Sequence, residues 1–268
     1  MIKVSVIIPT YKPKEYLWEC LDSLVRQTFS KDDFEVIIVL NGCCEPWKSE
    51  IERYIRRSMA DMQIRFIQTD VSGVSNARNI ALDCAQGEFV TFIDDDDYVS
   101  LAYIEGLYKI SSEDTIGLCY PYAFKDGKQN IQIAYSITES YNKLTPRGRI
   151  TFHQARKYFA GPCMKLIPMS FIQDRRFNTQ FTNGEDALFN FLISDKFKYV
   201  DFASPDAVYY RRYRENSAVT ASRTRFEKIS NSVNLGVAFT RIYFKSSRMY
   251  SFSFYLTRML AVIHSMFV

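Results

Sequence analysis

Over the first hundred residues, apolar and polar positions keep two alternating rhythms. Largely apolar runs at residues 4–9, 34–40, 64–68 and 88–93 predict strands, those at 4–9, 34–40 and 88–93 buried. Between them apolar residues return at helical spacing. Leu17, Cys20, Leu21, Leu24 and Val25 do so in residues 15–27, Ile51, Tyr54, Ile55 and Met59 in 47–59, and Ala77, Ile80, Ala81 and Cys84 in 75–84. This β-α-β-α-β-α-β order predicts an α/β fold, a mainly parallel sheet with helices on both faces. Beyond residue 116 the rhythm breaks. Short strands are predicted at 116–120, 131–135, 198–202 and 208–213, and a helix at 187–194 carries Leu188, Phe191 and Leu192. This half is expected to form the second wall of a cleft.

From residue 223 the texture changes again. Arg223, Arg225, Lys228, Arg241, Lys245, Arg248 and Arg258 face one acid, Glu227, and aromatics are interleaved with them. Two helices are predicted. The last apolar run is interrupted by Arg258 and His264 and is too short and broken for a membrane span. Such a basic amphipathic segment suits two arrangements, lying on an anionic bilayer or packing as a helix pair on the domain or in a dimer. The chain thus divides into 1–222, with halves 1–115 and 116–222, and a C-terminal helical segment at 223–268.

Composition narrows the class. With 47% hydrophobic and 24% charged residues the chain can fill a globular core. A formal charge of +4 gives no reason to expect nucleic acid as a partner. The cysteines, Cys20, Cys43, Cys44, Cys84, Cys119 and Cys163, form no C-x-x-C pair and fit a reducing compartment. With no signal peptide at its start, the chain is expected to be cytoplasmic, with peripheral contact on the inner face of the membrane as an option. Two histidines, His153 and His264, argue against histidine-based zinc sites and Ser-His triads.

The strand at 88–93 runs directly into Asp94, Asp95, Asp96 and Asp97. Four like charges repel, and folding alone does not ask for them at the end of a core strand. Mg²⁺ or Mn²⁺ would reverse that balance, since hard cations take carboxylate oxygens together with substrate phosphates. In open α/β sheets ligands bind beyond the carboxyl ends of strands, where this run lies. The plainer use is capping. A helix predicted near Leu101, with Ile104, Leu107 and Tyr108 on one face, could take one or two of the acids as caps or turn residues.

Four segments, in order and spacing, resemble the family 2 glycosyltransferases of GT-A fold, whose sheet is Rossmann-like. They are residues 4–11 (VSVIIPTY), 73–79 (GVSNARN), 87–97 (GEFVTFIDDDD) and 183–186 (NGED), followed by Tyr210-Arg211-Arg212 and Ser217; the similarity spans roughly 2–217. The resemblance implies transfer of a sugar from a nucleotide diphosphate donor to an acceptor hydroxyl, with inversion. Asp94 and Asp96 match the Asp-x-Asp positions, with Asp96 the first choice as direct metal ligand, Asp97 a third acid and Asp95 in the variable position. Asp186 matches the general base. Glu185 is its neighbour and competitor, and both also fit as first-turn acids that complement a helix dipole. Pro9, Thr10 and Tyr11 resemble the segment lining the nucleoside. Asn41 stands where an acid often holds the base or ribose, and an amide can still bond a base edge. Asp70 is a further base contact, and Arg78 matches a residue near the diphosphate, with an ion pair to Asp94 as its structural alternative. Arg212 and Ser217 match a loop closing over the diphosphate, and Lys165 a position ahead of the acceptor site. Gly161-Pro162 and Gly184 read as turns.

The expected cofactor is therefore Mn²⁺ or Mg²⁺. The expected donor is a nucleotide diphosphate sugar, a UDP-sugar first, and the expected acceptor a glycan or lipid-linked hydroxyl in surface polysaccharide or glycolipid synthesis. The oligomeric state is open, a dimer through the C-terminal helices being one option. A nucleotidyltransferase would share the sheet but needs a glycine-rich phosphate loop, which Pro9-Thr10-Tyr11-Lys12-Pro13 is not. A sugar-nucleotide-binding protein without turnover is motivated by Asn41. A basic module binding membrane or nucleic acid explains the tail and leaves the aspartates unexplained.

Overall fold

A computed structural model describes residues 1–214 and 224–267. The expected rhythm is present: β1 (Val4–Thr10), α1 (Glu15–Val25), β2 (Phe34–Asn41), α2 (Trp47–Ser58), β3 (Gln63–Thr69), α3 (Val74–Cys84) and β4 (Phe89–Phe92). Every residue of β1 and β2 is buried, as their apolar runs require. There follow β5 (Tyr98–Val99), α4 (Tyr103–Ile110), β6 (Thr115–Leu118), β7 (Tyr120–Lys125), α5 (Ser136–Leu144), β8 (Ile150–Thr151), a tight 3₁₀ stretch at Phe152–Ala160, β9 (Lys165–Pro168), α6 (Met169–Ile172), α7 (Glu185–Leu192), β10 (Tyr199–Phe202) and β11 (Val208–Tyr213). The chain ends in α8 (Arg225–Lys245) and α9 (Phe252–Ser265).

The main sheet has strand order β3-β2-β1-β4-β9-β6-β10-β8, and β5-β11-β7 form a second small sheet. From β3 to β4 all neighbours are parallel, whereas β9 lies antiparallel between β4 and β6. The mixed half therefore continues the first half's sheet across residue 115. Two expectations change here. The run at 116–120 is two strands in two sheets, β6 and β7, with Cys119 between them. The strand expected at 131–135 is absent: Gln132 makes one isolated bridge to Phe124, Ile131 is exposed, and α5 begins at Ser136.

The tail packs on the domain, one of its two expected arrangements. Phe191 of α7 lies within 5.2–5.6 Å, ring centre to ring centre, of Phe239, Tyr250 and Phe254. At Gly184 φ is +85°, and a Cβ there would lie 2.5 Å from Leu235 Cδ2, so a glycine lets the start of α7 press on α8. All six cysteines are free thiols. No helix among the described residues is long and apolar enough to cross a membrane.

Candidate active site

The strand order places the site. From β1 the chain winds outward through β2 to β3, then returns to lay β4 on the other side of β1. That reversal opens a crevice at the carboxyl ends of β1 and β4. A cavity of about 1290 Å³ lies there. Its lining includes Pro9, Thr10, Tyr11, Asn41, Arg78 and the run Asp94 to Asp97, together with Tyr135, Lys157, Tyr158, Asp186 and residues 211–214.

The four aspartates have four different surroundings. Asp94 Oδ1 accepts from Arg78 Nη2 at 3.1 Å. Asp95 Oδ2 accepts from the Thr10 hydroxyl at 2.5 Å, tying the ends of β1 and β4 together. Asp96 Oδ2 lies 2.6 Å from the Arg214 guanidinium, which also reaches the Tyr16 hydroxyl at 3.2 Å. Asp97 is buried: its Oδ2 accepts from the Tyr209 hydroxyl and its Oδ1 from the Arg212 amide, both at 2.7 Å. Asp97 thus anchors β11 to the acidic turn. Burial, followed by the charges of Asp96 and Asp94, lifts its carboxyl well above the usual range. Burial likewise raises Asp96, against the opposing pull of Arg214.

Asp186 sits in the first turn of α7, and its Oδ1 accepts from Arg78 Nη1 at 2.6 Å. The Arg78 side chain is 4% exposed and lies over the Phe177 ring. One guanidinium from α3 therefore bridges the first acid of the run and the first turn of α7. Burial raises the Asp186 carboxyl, and Arg78 opposes that rise. Glu185 is buried and does not line the cavity, so the two adjacent acids diverge.

Other residues singled out from the sequence are placed less directly. Asn41 is buried and clamps two loops, with Nδ2 donating to the Thr10 carbonyl at 2.8 Å and Oδ1 accepting from the Gly73 amide at 2.9 Å. Asp70 is exposed, accepts from Gln68 Nε2 and lies off the cavity lining. Arg212 spends Nε on the Asp96 carbonyl and its two terminal nitrogens on Asp126 and Glu19. Its Nε and backbone amide brace the acidic turn, whereas the carboxylate of Asp96 is held by Arg214. Lys165 is fully buried, with Nζ donating to the carbonyls of Gly161 and Cys163, and burial pulls it down to about 8. Ser217 lies outside the described residues.

Sequence reasoning missed Arg214, Tyr16, Tyr209 and Arg211. Strand alternation held a signal for two of them. Once 208–213 is a strand, Tyr209 and Arg211 share one face and Tyr210 and Arg212 the other.

Asp95 should leave a pH signature. Burial pushes it up to about 7 from an ordinary 3.8, with the Thr10 hydroxyl opposing. Below the ordinary value it is protonated in both folded and unfolded chains. Above that value the unfolded chain ionises first, so its contribution to stability declines as pH rises and is lost through about 7. In Tm measurements from about pH 4 to 8, Asp95→Asn is therefore expected to gain on the parent as pH rises. A constant difference between the two would show Asp95 ionised throughout.

Comparison with known proteins completes the description. The sequence profile described as glycosyl transferase family 2 matches residues 5–175. The poly(ribitol-phosphate) beta-N-acetylglucosaminyltransferase TarS of Staphylococcus aureus is 39% identical over 100 residues, 37% of this chain and 17% of that protein. Glycosyltransferase GlyA of Streptococcus pneumoniae is 28% identical over 226 residues, 80% of this chain and 31% of that protein. The chain thus spans less than a third of the length of these curated relatives. Among solved structures, residues 1–349 of S. aureus TarS in complex with UDP-GlcNAc superpose with a TM-score of 0.69 at 24% identity, covering 89% of this chain and 66% of that one. Mannosyltransferase PcManGT from Pyrobaculum calidifontis, in complex with GDP-Man and Mn²⁺, has a TM-score of 0.60 at 17% identity, covering 98% and 74%. These likenesses show the fold, a GT-A type.

Proposed function

The chain belongs to glycosyl transferase family 2, and from that premise we propose that it transfers a sugar, with inversion, from a uridine diphosphate sugar to a hydroxyl of a surface polysaccharide or related glycopolymer. The observation that carries this is the crevice at the β1/β4 switch point, lined by both the acidic run and Asp186, with Arg78 bridging Asp94 and Asp186. The UDP-GlcNAc held by TarS supports the donor class. The names of relatives such as TarS support the glycopolymer acceptor.

The nucleoside would lie along Pro9, Thr10 and Tyr11, with Asn41 fixing the loops beneath it. Asp186 would take the proton of the attacking hydroxyl: Arg78 holds Oδ1, and Oδ2 remains as the accepting atom. A raised carboxyl suits a base working near neutral pH. Arg214 would turn toward the diphosphate once a cation competes for Asp96.

The residues fit a divalent cation shared with substrate. No group of three or more His, Cys, Asp or Glu among the described residues could hold a metal by itself. Asp94 and Asp96 each hold a guanidinium, so the site already stabilises positive charge on both. Two such carboxylates would suit an ion that completes its shell with phosphate oxygens. When bound, the ion would offset the charge growing on the leaving phosphate.

Thermal shift with UDP-sugars, with and without Mn²⁺, tests the proposal. Stabilisation by a UDP-sugar that grows with Mn²⁺ is expected, about 2.7 kcal/mol at a hundredfold excess over Kd. Release of UDP should accompany it, and stabilisation by no nucleotide diphosphate would sink the proposal.

A further inference from the structure

The α8–α9 hairpin has a face that the domain does not use. On α9, Phe252, Leu256, Leu260, Ile263 and Phe267 recur every three or four residues and are 43–78% exposed. On α8, Phe226, Ile229, Val233, Val237 and Phe244 form a similar stripe, 37–81% exposed. The helices meet at Gly236, where a Cβ would lie 3.5 Å from Met259 Cε and Val262 Cγ1. At about 100° per residue, the buried positions Leu235, Phe239, Phe254 and Arg258 fall to one side of that contact line on both helices. The exposed apolar stripes fall to the other. They therefore form one outward two-helix face, larger than the scattered apolar residues of ordinary surfaces.

Charge identifies what covers it. Arg225 stands at the outer end of α8, and Arg241, Lys245 and Arg248 approach the turn between the helices, all exposed. Glu227 is the sole acid in residues 224–267. At the turn these bases neighbour Phe244, Met249 and Phe252, which are 57–69% exposed. We propose that this face docks on a bilayer surface containing anionic lipid. The hairpin lies in the interface plane, its apolar stripes at the acyl boundary and its bases at the headgroups. A second copy is the competing occupant, but two such faces would set like charges against each other. The proposal does not depend on sugar transfer.

Co-sedimentation of the full chain with phosphatidylcholine vesicles, with and without about a third phosphatidylglycerol, tests it. Binding to the anionic vesicles is expected, weakening with salt. The exposed pair Leu256→Glu/Leu260→Glu should lower it roughly 100-fold, and Arg241→Gln/Lys245→Gln roughly 30-fold, with melting and nucleotide-induced shifts unchanged. Equal binding to neutral vesicles, or full binding by the Leu256→Glu/Leu260→Glu chain, overturns the proposal. So does absence of vesicle binding by the parent; a dimer that the same leucine pair dissolves would then assign the face to a second copy.

Discussion

Asp186→Asn is expected to lower sugar transfer by about 10²–10⁴-fold, the usual contribution of a positioned general base, with the fold intact. The amide keeps the shape of the side chain and can still accept from Arg78, which retains Asp94 as its charged partner. The loss should fall on kcat, with donor-induced thermal stabilisation preserved. Glu185→Gln is the control. Its side chain does not line the cavity, and turnover should stay within a few-fold of the parent. Near-parental turnover by Asp186→Asn would remove Asp186 from the chemistry and move the search for the base to another group lining the cavity.

The second large effect is on stability. Arg78→Met is expected to cost about 3–5 kcal/mol, the usual result of removing one partner from a buried ion pair. The guanidinium, 4% exposed, neutralises Asp94 and Asp186 together, and methionine would leave both carboxylates uncompensated. Their proton affinities should then rise, so the deficit should narrow at low pH, where protonation relieves the two acids. Arg78→Lys should fall between parent and Arg78→Met, because an ammonium carries the charge but lacks the planar fork that spans both partners. Urea unfolding at about pH 5 and pH 8 measures all three chains. Equal midpoints at both values would show that the pair contributes nothing net.

The first half was legible because its apolar runs all became strands, and in β1 and β2, buried along their whole length, local pattern and tertiary burial coincide; β3, at the sheet edge, is only half-buried. In the second half they part. β9 is fully buried, yet it begins at Lys165 and ends at Pro168, residues that mask a strand. Lys165 is tolerated inside because its ammonium is bonded to two carbonyls. β7 contains Pro121, which argues against an interior strand, and β7 is an edge of the small sheet, where proline is accommodated. Residues 131–135 lie beside the free edge of β7 but make only one isolated bridge to it, Gln132 to Phe124, before α5 begins at Ser136.

The same division runs through the site. By itself the sequence determined that four carboxylates follow a buried strand and that Asp186 opens a helix, because strand burial and helical periodicity are local properties of the chain. Only the tertiary structure decided what each acid does. The groups that choose among them, Thr10, Arg78, Tyr209, Arg212 and Arg214, arrive from α3 and from the ends of β1 and β11. Charge pairing falls off steeply with distance and orientation. Four chemically identical neighbours therefore became a loop tie, a strand anchor and two seats for positive charge only once the chain had closed around them.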